Sequence, residues 1–265
     1  MLTAGVDIGS LAAKAAVLDA ESWQILATAC LPSGSRPAES GARALQQALA
    51  AADTDLEGVK AIVSTGYGRD GISLVEASVT EISCGARGAH LIDPEVRTVL
   101  DIGGQDSKAV SVDEDGYPLD FALNDRCAAG TGRFLEVMAG ALDTDLEGLE
   151  RMALAAERPA PITRTCTVFA ESEVVGLLAR GVAPEAVAAG LCRAVAERNA
   201  QLVLQVRVRP RVMLIGGVGM NAAIAEALAS FLDVGLVVPD DPQTVVATGA
   251  ALVAAERMGA QAVAG

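Results

Sequence analysis

Histidine is almost missing from this 265-residue chain, and aromatic residues make up only 3% of it. With His90 as the single imidazole, His-rich zinc sites are excluded and a His-based triad is disfavoured. A surface or helix-end position is its expected place. With so few aromatics, the core must be built from Ala, Val, Leu and Ile; at 51% hydrophobic residues that core is substantial. Positive charge is also short: 20 Lys and Arg stand against 34 Asp and Glu, a formal net charge of −14. That balance argues against nucleic acid, whose phosphates select basic faces. No apolar run approaches the roughly 20 residues that span a bilayer. The opening MLTAGVDIGS has neither a basic n-region nor a cleavage site, so no signal peptide and no membrane anchorage are expected, and the expected setting is cytoplasmic. The Walker pattern G-x-x-x-x-G-K-[ST] is absent, which excludes a P-loop ATPase. Without a secretion signal, the five cysteines (Cys30, Cys84, Cys127, Cys166 and Cys192) are not expected to form disulfides. Core packing or cluster ligation remains for them.

What the chain does have is an internal repeat. Asp7-Ile8-Gly9-Ser10 is followed by Lys14-Ala15 and then Asp19; Asp101-Ile102-Gly103-Gly104 is followed by Lys108-Ala109 and then Asp113, at identical spacings. Apolar residues precede the Asp in both copies, and a strand-like run follows the Lys. A duplicated unit is the expectation, each copy a strand, a tight glycine turn and a second antiparallel strand. Gly9 and Gly103 permit close backbone approach to a ligand. Exposed N–H groups in such turns form an anion-binding concavity. Two copies would then grip a polyphosphate, with Asp7 and Asp101 placed to hold Mg²⁺ through water. The competing reading is two unrelated hairpins with turn glycines.

A third glycine segment, Gly216-Gly217-Val218-Gly219-Met220-Asn221, lies between a strand (211–215) and the helix AAIAEALASFL. Gly217, Gly219 and Ala222 also satisfy the dinucleotide pattern G-x-G-x-x-A, with Asp240 and Asp241 about twenty residues on. A lone match of this kind is weak, and the remaining chain is too short to complete a Rossmann sheet. A strand over 235–238 and a helix over 248–258 finish the chain.

Two cysteines precede helical patterns. Cys127 stands in Asn124-Asp-Arg-Cys127-Ala-Ala-Gly-Thr-Gly132-Arg133, ahead of Phe134, Leu135, Val137 and Met138; Cys166 stands just before a helix over 168–180. Helix N-termini favour a thiolate. From spacing alone two readings stand side by side, buried packing residues or cluster ligands, because no C-x-x-C pattern is present. As ligands, two thiols per chain fill half of a four-thiolate site, and two copies would fill it. Cys192, with Val187, Leu191, Val195 and Leu202 near helical spacing, reads as core. Cys30 precedes a turn-rich segment, and Cys84 is not expected to be a ligand.

Taken together, these blocks resemble the activators of 2-hydroxyacyl-CoA dehydratases, relatives of the ATPase subunits of benzoyl-CoA reductases. The resemblance rests on Gly5-Val-Asp7-Ile-Gly9-Ser10, Ser64-Thr-Gly66-Tyr-Gly68-Arg69, Asp101-Ile-Gly-Gly-Gln105-Asp106, the block from Asn124 to Phe134, Thr165-Cys166-Thr-Val-Phe-Ala-Glu171-Ser-Glu173, and Gly216-Gly217-Val218, and it runs essentially end to end. It implies an α/β fold, the duplicated ATPase fold of actin, sugar kinases and heat-shock chaperones, with nucleotide in a central cleft. It implies a first half over 1–95 and a second over 96–265 carrying the cluster cysteines and the adenosine-side glycine loop. It implies an ATP-hydrolysing protein that passes a low-potential electron from a 4Fe–4S cluster to a dehydratase. Cys127 and Cys166 of two subunits would hold one cluster per homodimer. Asp7, Asp101 and Gln105 would serve catalysis with Mg²⁺. Gly9, Ser10, Leu11, Ala12, Ala13, Lys14, Gly103, Gly104 and Gln105 would bind the phosphates of ATP or ADP, and Gly216, Gly217 and Val218 would lie under the nucleoside. Ferredoxin or flavodoxin is the implied electron donor. One departure is Gly219, where these activators more often carry Ala; it should loosen the loop without altering its role. The alternatives are an electron-transfer subunit of a benzoyl-CoA-reductase-type system, or a sugar or small-molecule kinase of the same fold, since fold alone does not settle function.

Overall fold

The computed structural model describes residues 1–72, 75–124, 127–163 and 166–264. Asp125, Arg126, Arg164 and Thr165, which belong to the two cysteine motifs, lie outside the described residues. The chain forms two compact units. One comprises Met1–Val99, Val112–Leu119 and the chain from Asp240 onward; the other comprises Leu100–Ser111 and Asp120–Pro239.

The first unit is organised around a five-stranded sheet. Its strands are β1 (Leu2–Ile8), β2 (Ala12–Asp19), β3 (Gln24–Pro32), β4 (Val59–Thr65) and the short β5 (Ala77–Ser78), in the order β3-β2-β1-β4-β5. β1 is buried on both faces, as its apolar run demands. It pairs antiparallel with β2, placing Asp7 opposite Lys14, and parallel with β4, placing Asp7 beside Thr65. Side chains alternate across the sheet. One set, Ala4, Val6 and Ile8, packs with Ala44, Leu45, Ala48 and Leu49 of helix α1 (Pro37–Ala51). On the sheet's other side, Thr3 donates from its hydroxyl to the carbonyl of Ala251, and a Cβ at Gly5 would strike the carbonyl of Ala247. Both partners belong to helix α8 (Val245–Ala264), which also packs on α2 (Glu81–Ile92). His90 lies in the last turn of α2, where burial lowers its pKa.

The second sheet contains β6 (Thr98–Ile102), β7 (Ser107–Val112), β8 (Pro118–Asn124), β9 (Val212–Ile215) and β10 (Leu236–Val237), in the order β10-β9-β6-β7-β8. Counted from the start of each sheet, this is the first sheet's order strand for strand, so the duplication expected from the Asp-Ile-Gly copies is a duplication of whole sheets. Among the described residues, four helices intervene between β8 and β9: α3 (Gly132–Ala141), α4 (Leu146–Ala155), α5 (Thr167–Ala179) and α6 (Pro184–Val203). Helix α7 (Ala222–Leu232) joins β9 to β10. The core of this unit is aliphatic, with Leu100, Ile102, Met138, Leu191, Val195, Leu214 and Leu228; Phe134 is its buried aromatic. Among the described residues, no helix is long and apolar enough to cross a membrane.

Candidate functional site

The first glycine turn is built by the β1–β2 hairpin. The Gly9 N–H donates to the Ala12 carbonyl at 3.0 Å, closing the turn. Ser33, at the end of β3, donates from its hydroxyl to the Gly9 carbonyl at 2.6 Å, and its N–H donates to the Leu11 carbonyl at 2.9 Å. Asp7 is 5% exposed, and the Lys14 ammonium donates to its Oδ2 at 2.9 Å. A carboxylate that far from water needs such a partner. Gly66 follows β4 with φ +86°, and a Cβ there would strike Asp7 Oδ1 and the Ile8 carbonyl. Only glycine takes both that conformation and that space. The residues nominated from the sequence thus share one hairpin, with Gly9, Ser10, Leu11, Ala12 and Lys14 half-buried and Ala13 fully buried. Ala13 has only its backbone to offer a ligand.

The second turn repeats this construction. The Gly103 N–H donates to the Asp106 carbonyl at 2.9 Å. Gly216, with φ +87°, stands to Asp101 as Gly66 stands to Asp7: a Cβ there would meet Asp101 Oδ1 and the Ile102 carbonyl. Lys108 donates to Asp106 Oδ2 at 2.7 Å, a carboxylate that takes the place of Ala12 in the first copy. Asp101, Gly103 and Gly104 are half-buried, and Gln105 is exposed. Of the third glycine segment, Gly216 is half-buried, Gly217 exposed and Val218 part of the core. Residues 217–220 form a single 3-10 turn, after which Asn221 caps α7 by accepting from the Ile224 N–H at 3.0 Å. Sequence reasoning gave no site role to Ser33, Gly66 or Asp106. For Gly66 a signal existed, a glycine directly after a strand; for Ser33 there was none.

The cysteines divide by burial. Cys84 and Cys192 are buried, and desolvation pushes both thiols up to about 12, which suits packing and not ligation. Cys30 is exposed in β3 with its Sγ 3.6 Å from Gln243 Oε1, and partial burial raises its pKa. Cys166 is exposed at the N-cap of α5, and its side chain makes no capping bond. Thr163, just upstream, is tied down by Glu173 of α5, which accepts from its hydroxyl at 2.7 Å and its N–H at 3.1 Å. Cys127 is half-buried in the loop that enters α3, a helix packed against α5. Where that loop ends, the first turn of α3 is joined to the second glycine turn: the Gly132 and Arg133 N–H groups donate to the Gly103 and Gly104 carbonyls, each at 2.9 Å. Among the described residues, no three His, Cys, Asp or Glu side chains gather as a metal site. One chain offers an exposed thiol at the N-cap of α5 and a half-buried one in the loop ahead of α3, which fits a four-thiolate cubane only as half of its ligand set.

Two sheets of identical strand order, each with a carboxylate at the end of its first strand beside a glycine turn, define the nucleotide-binding fold shared by actin, the heat-shock chaperones and hexokinase-type kinases. A hexokinase of the ROK type from Thermus thermophilus shares it at a TM-score of 0.54 and 18% identity, covering 97% of this chain and 100% of that one. More narrowly, the chain belongs to the BadF/BadG/BcrA/BcrD ATPase family, whose model matches residues 4–254. It is 41% identical over 254 residues to the 2-hydroxyisocaproyl-CoA dehydratase activator of Clostridioides difficile, covering 96% of this chain and 95% of the relative. The solved structure of the activator of the 2-hydroxyisocaproyl-CoA dehydratase from Clostridium difficile, with bound ADPNP, superposes at a TM-score of 0.93 with 38% identity, covering 100% of this chain and 98% of that one.

Proposed function

We propose that this chain is an ATP-hydrolysing activator of a 2-hydroxyacyl-CoA dehydratase, working as a cytoplasmic homodimer that holds one 4Fe–4S cluster between Cys127 and Cys166 of its two copies. The observation that carries this reading is the backbone join between the Gly103-Gly104 turn and the start of α3, the helix that the loop of Cys127 leads into. It ties a phosphate-type turn to a thiol that faces no disulfide partner. Apolar side chains close in sequence to both cysteines are exposed: Phe121 and Leu123 on β8 ahead of Cys127, and Val168 and Phe169 after Cys166, the last two at 69% and 61% exposure. Exposed apolar groups of this kind support self-association.

In this reading Asp7 and Asp101 would hold Mg²⁺ through water, and the metal would supply charge neutralisation at the phosphates. The N–H groups of Ser10, Gly104 and Gln105 would donate to phosphate oxygens, while Gly9 and Gly103, whose own N–H groups close the turns, let the phosphates approach the backbone. Lys14, which pairs with Asp7 in the structure, also faces the phosphate charge. Gly216 and Gly217 leave room for the nucleoside. When bound, the cluster would accept one electron from ferredoxin or flavodoxin and give one electron to the dehydratase.

The test is iron analysis of protein purified without oxygen. Iron is expected to approach four atoms per dimer, and Cys127→Ser or Cys166→Ser is expected to lose most of it while ATP binding persists. Full iron retention in both variants would remove the assignment.

A further inference from the structure

Asn199 is a polar residue near the C-terminal end of α6, 1% exposed, among the aliphatic side chains of the second unit's core. Burying a carboxamide there is unfavourable unless it is hydrogen-bonded, and Asn is a weak helix former. Its amide group accounts for its presence. Nδ2 donates to the Val195 carbonyl of its own helix at 2.9 Å, which fixes the rotamer, and to the Gly130 carbonyl at 2.8 Å. Gly130 has φ +91°, and a Cβ on it would press on the Arg198 side chain. Ser107, the first residue of β7 after the Gly103–Asp106 turn, directs its hydroxyl to the same Gly130 carbonyl at 3.4 Å.

One peptide group is therefore held from two sides, by α6 and by the strand leaving the glycine turn. Its orientation decides where the next N–H groups point. Those of Gly132 and Arg133 reach the Gly103 and Gly104 carbonyls. On the other side, the Thr131 hydroxyl donates to the Ala128 carbonyl at 2.6 Å and closes the loop next to Cys127.

We propose that Asn199 is a positioning residue: by fixing the Gly130 carbonyl it keeps the Cys127 loop in register on the Gly103-Gly104 turn, so that a ligand at the turn is felt at the thiolate. Asn199 touches neither ligand. The proposal rests on the nucleotide reading above.

Amide hydrogen exchange on the full-length chain separates the two. Segments 101–107 and 128–135 are followed without nucleotide, with ADP and with a non-hydrolysable ATP analogue. In the wild type both segments should slow on nucleotide binding. In Asn199→Leu the turn should still slow, with the nucleotide dissociation constant changed by less than about threefold. Segment 128–135 should exchange about tenfold faster, the scale of one buried hydrogen bond, and should lose its response to nucleotide. Ser107→Ala, which removes the longer bond to the same carbonyl, should shift segment 128–135 in the same direction by less. An Asn199→Leu protein whose loop still responds to nucleotide overturns the proposal. So does a wild type in which the turn slows and the loop does not, an outcome that decides the matter even if the variant fails to fold. If neither segment of the wild type slows, the nucleotide reading falls, and the proposal falls with it.

Discussion

Asp7 and Asp101 occupy the same point in two copies of one hairpin, and each owes its space to a distant glycine, Gly66 or Gly216. A Cβ at either glycine would collide with the carboxylate it adjoins, so the acid and the gap come as a pair. If the two carboxylates position Mg²⁺ and water, Asp101→Ala should lower ATP turnover by about two orders of magnitude, as loss of a preorganised electrostatic contact does. Steady-state phosphate release measures it; near-normal hydrolysis would contradict the role. The Asp-Ile-Gly copies were legible in the sequence because hairpin geometry demands the same residues at the same spacing. The pairing of Gly66 with Gly216 was not, because Tyr67-Gly68 follows one and Gly217-Val218 follows the other, with no shared residue beyond the first glycine. Ser33 was also illegible, since its hydroxyl matters only once β3 has returned it to the Gly9 carbonyl.

Among the elements, α2 and α8 pack with almost no side chain between them. A Cβ on Gly249 would run into the Cys84 carbonyl, and one on Gly88 into the Val245 carbonyl. Such backbone contact tolerates no added volume, and overpacking typically costs about 1–3 kcal/mol or more. Gly249→Val should therefore lower the urea midpoint of the first unit clearly, and an unchanged midpoint would show that the helices separate at little cost. The last helix was legible as a helix, although it runs over Val245–Ala264 and not only over 248–258. The sheet it covers was not, because a nearly all-apolar helix presents no single stripe to choose a partner. Around Cys166 the sequence located the helix to within a residue, Thr167–Ala179 against 168–180, because the apolar pattern starts directly after the cysteine.

Over the whole molecule, the two sheets share their strand order but not their connections. Where the first unit passes from β3 to β4 through α1 alone, the second passes from β8 to β9 through α3 to α6. Cys127 and Cys166 both lie in that longer connection, so the proposed electron-transfer machinery is an elaboration of the copy that carries Asp101. Its loop is stitched to the turn beside that aspartate. A ligand shifts an equilibrium only by its different affinities for the two states, so the proposed gating requires ATP to favour one arrangement of this chain more than ADP does. The reduced protein in its ATP form would dock the dehydratase and deliver one electron, and hydrolysis would release the complex and prevent back-transfer. The most direct measurement is electron delivery from pre-reduced protein to a purified 2-hydroxyacyl-CoA dehydratase, with ATP, with ADP and without nucleotide. Delivery with ATP alone is the predicted result. Equal delivery without ATP would contradict the gating claim, even with the cluster and the ATPase activity in place.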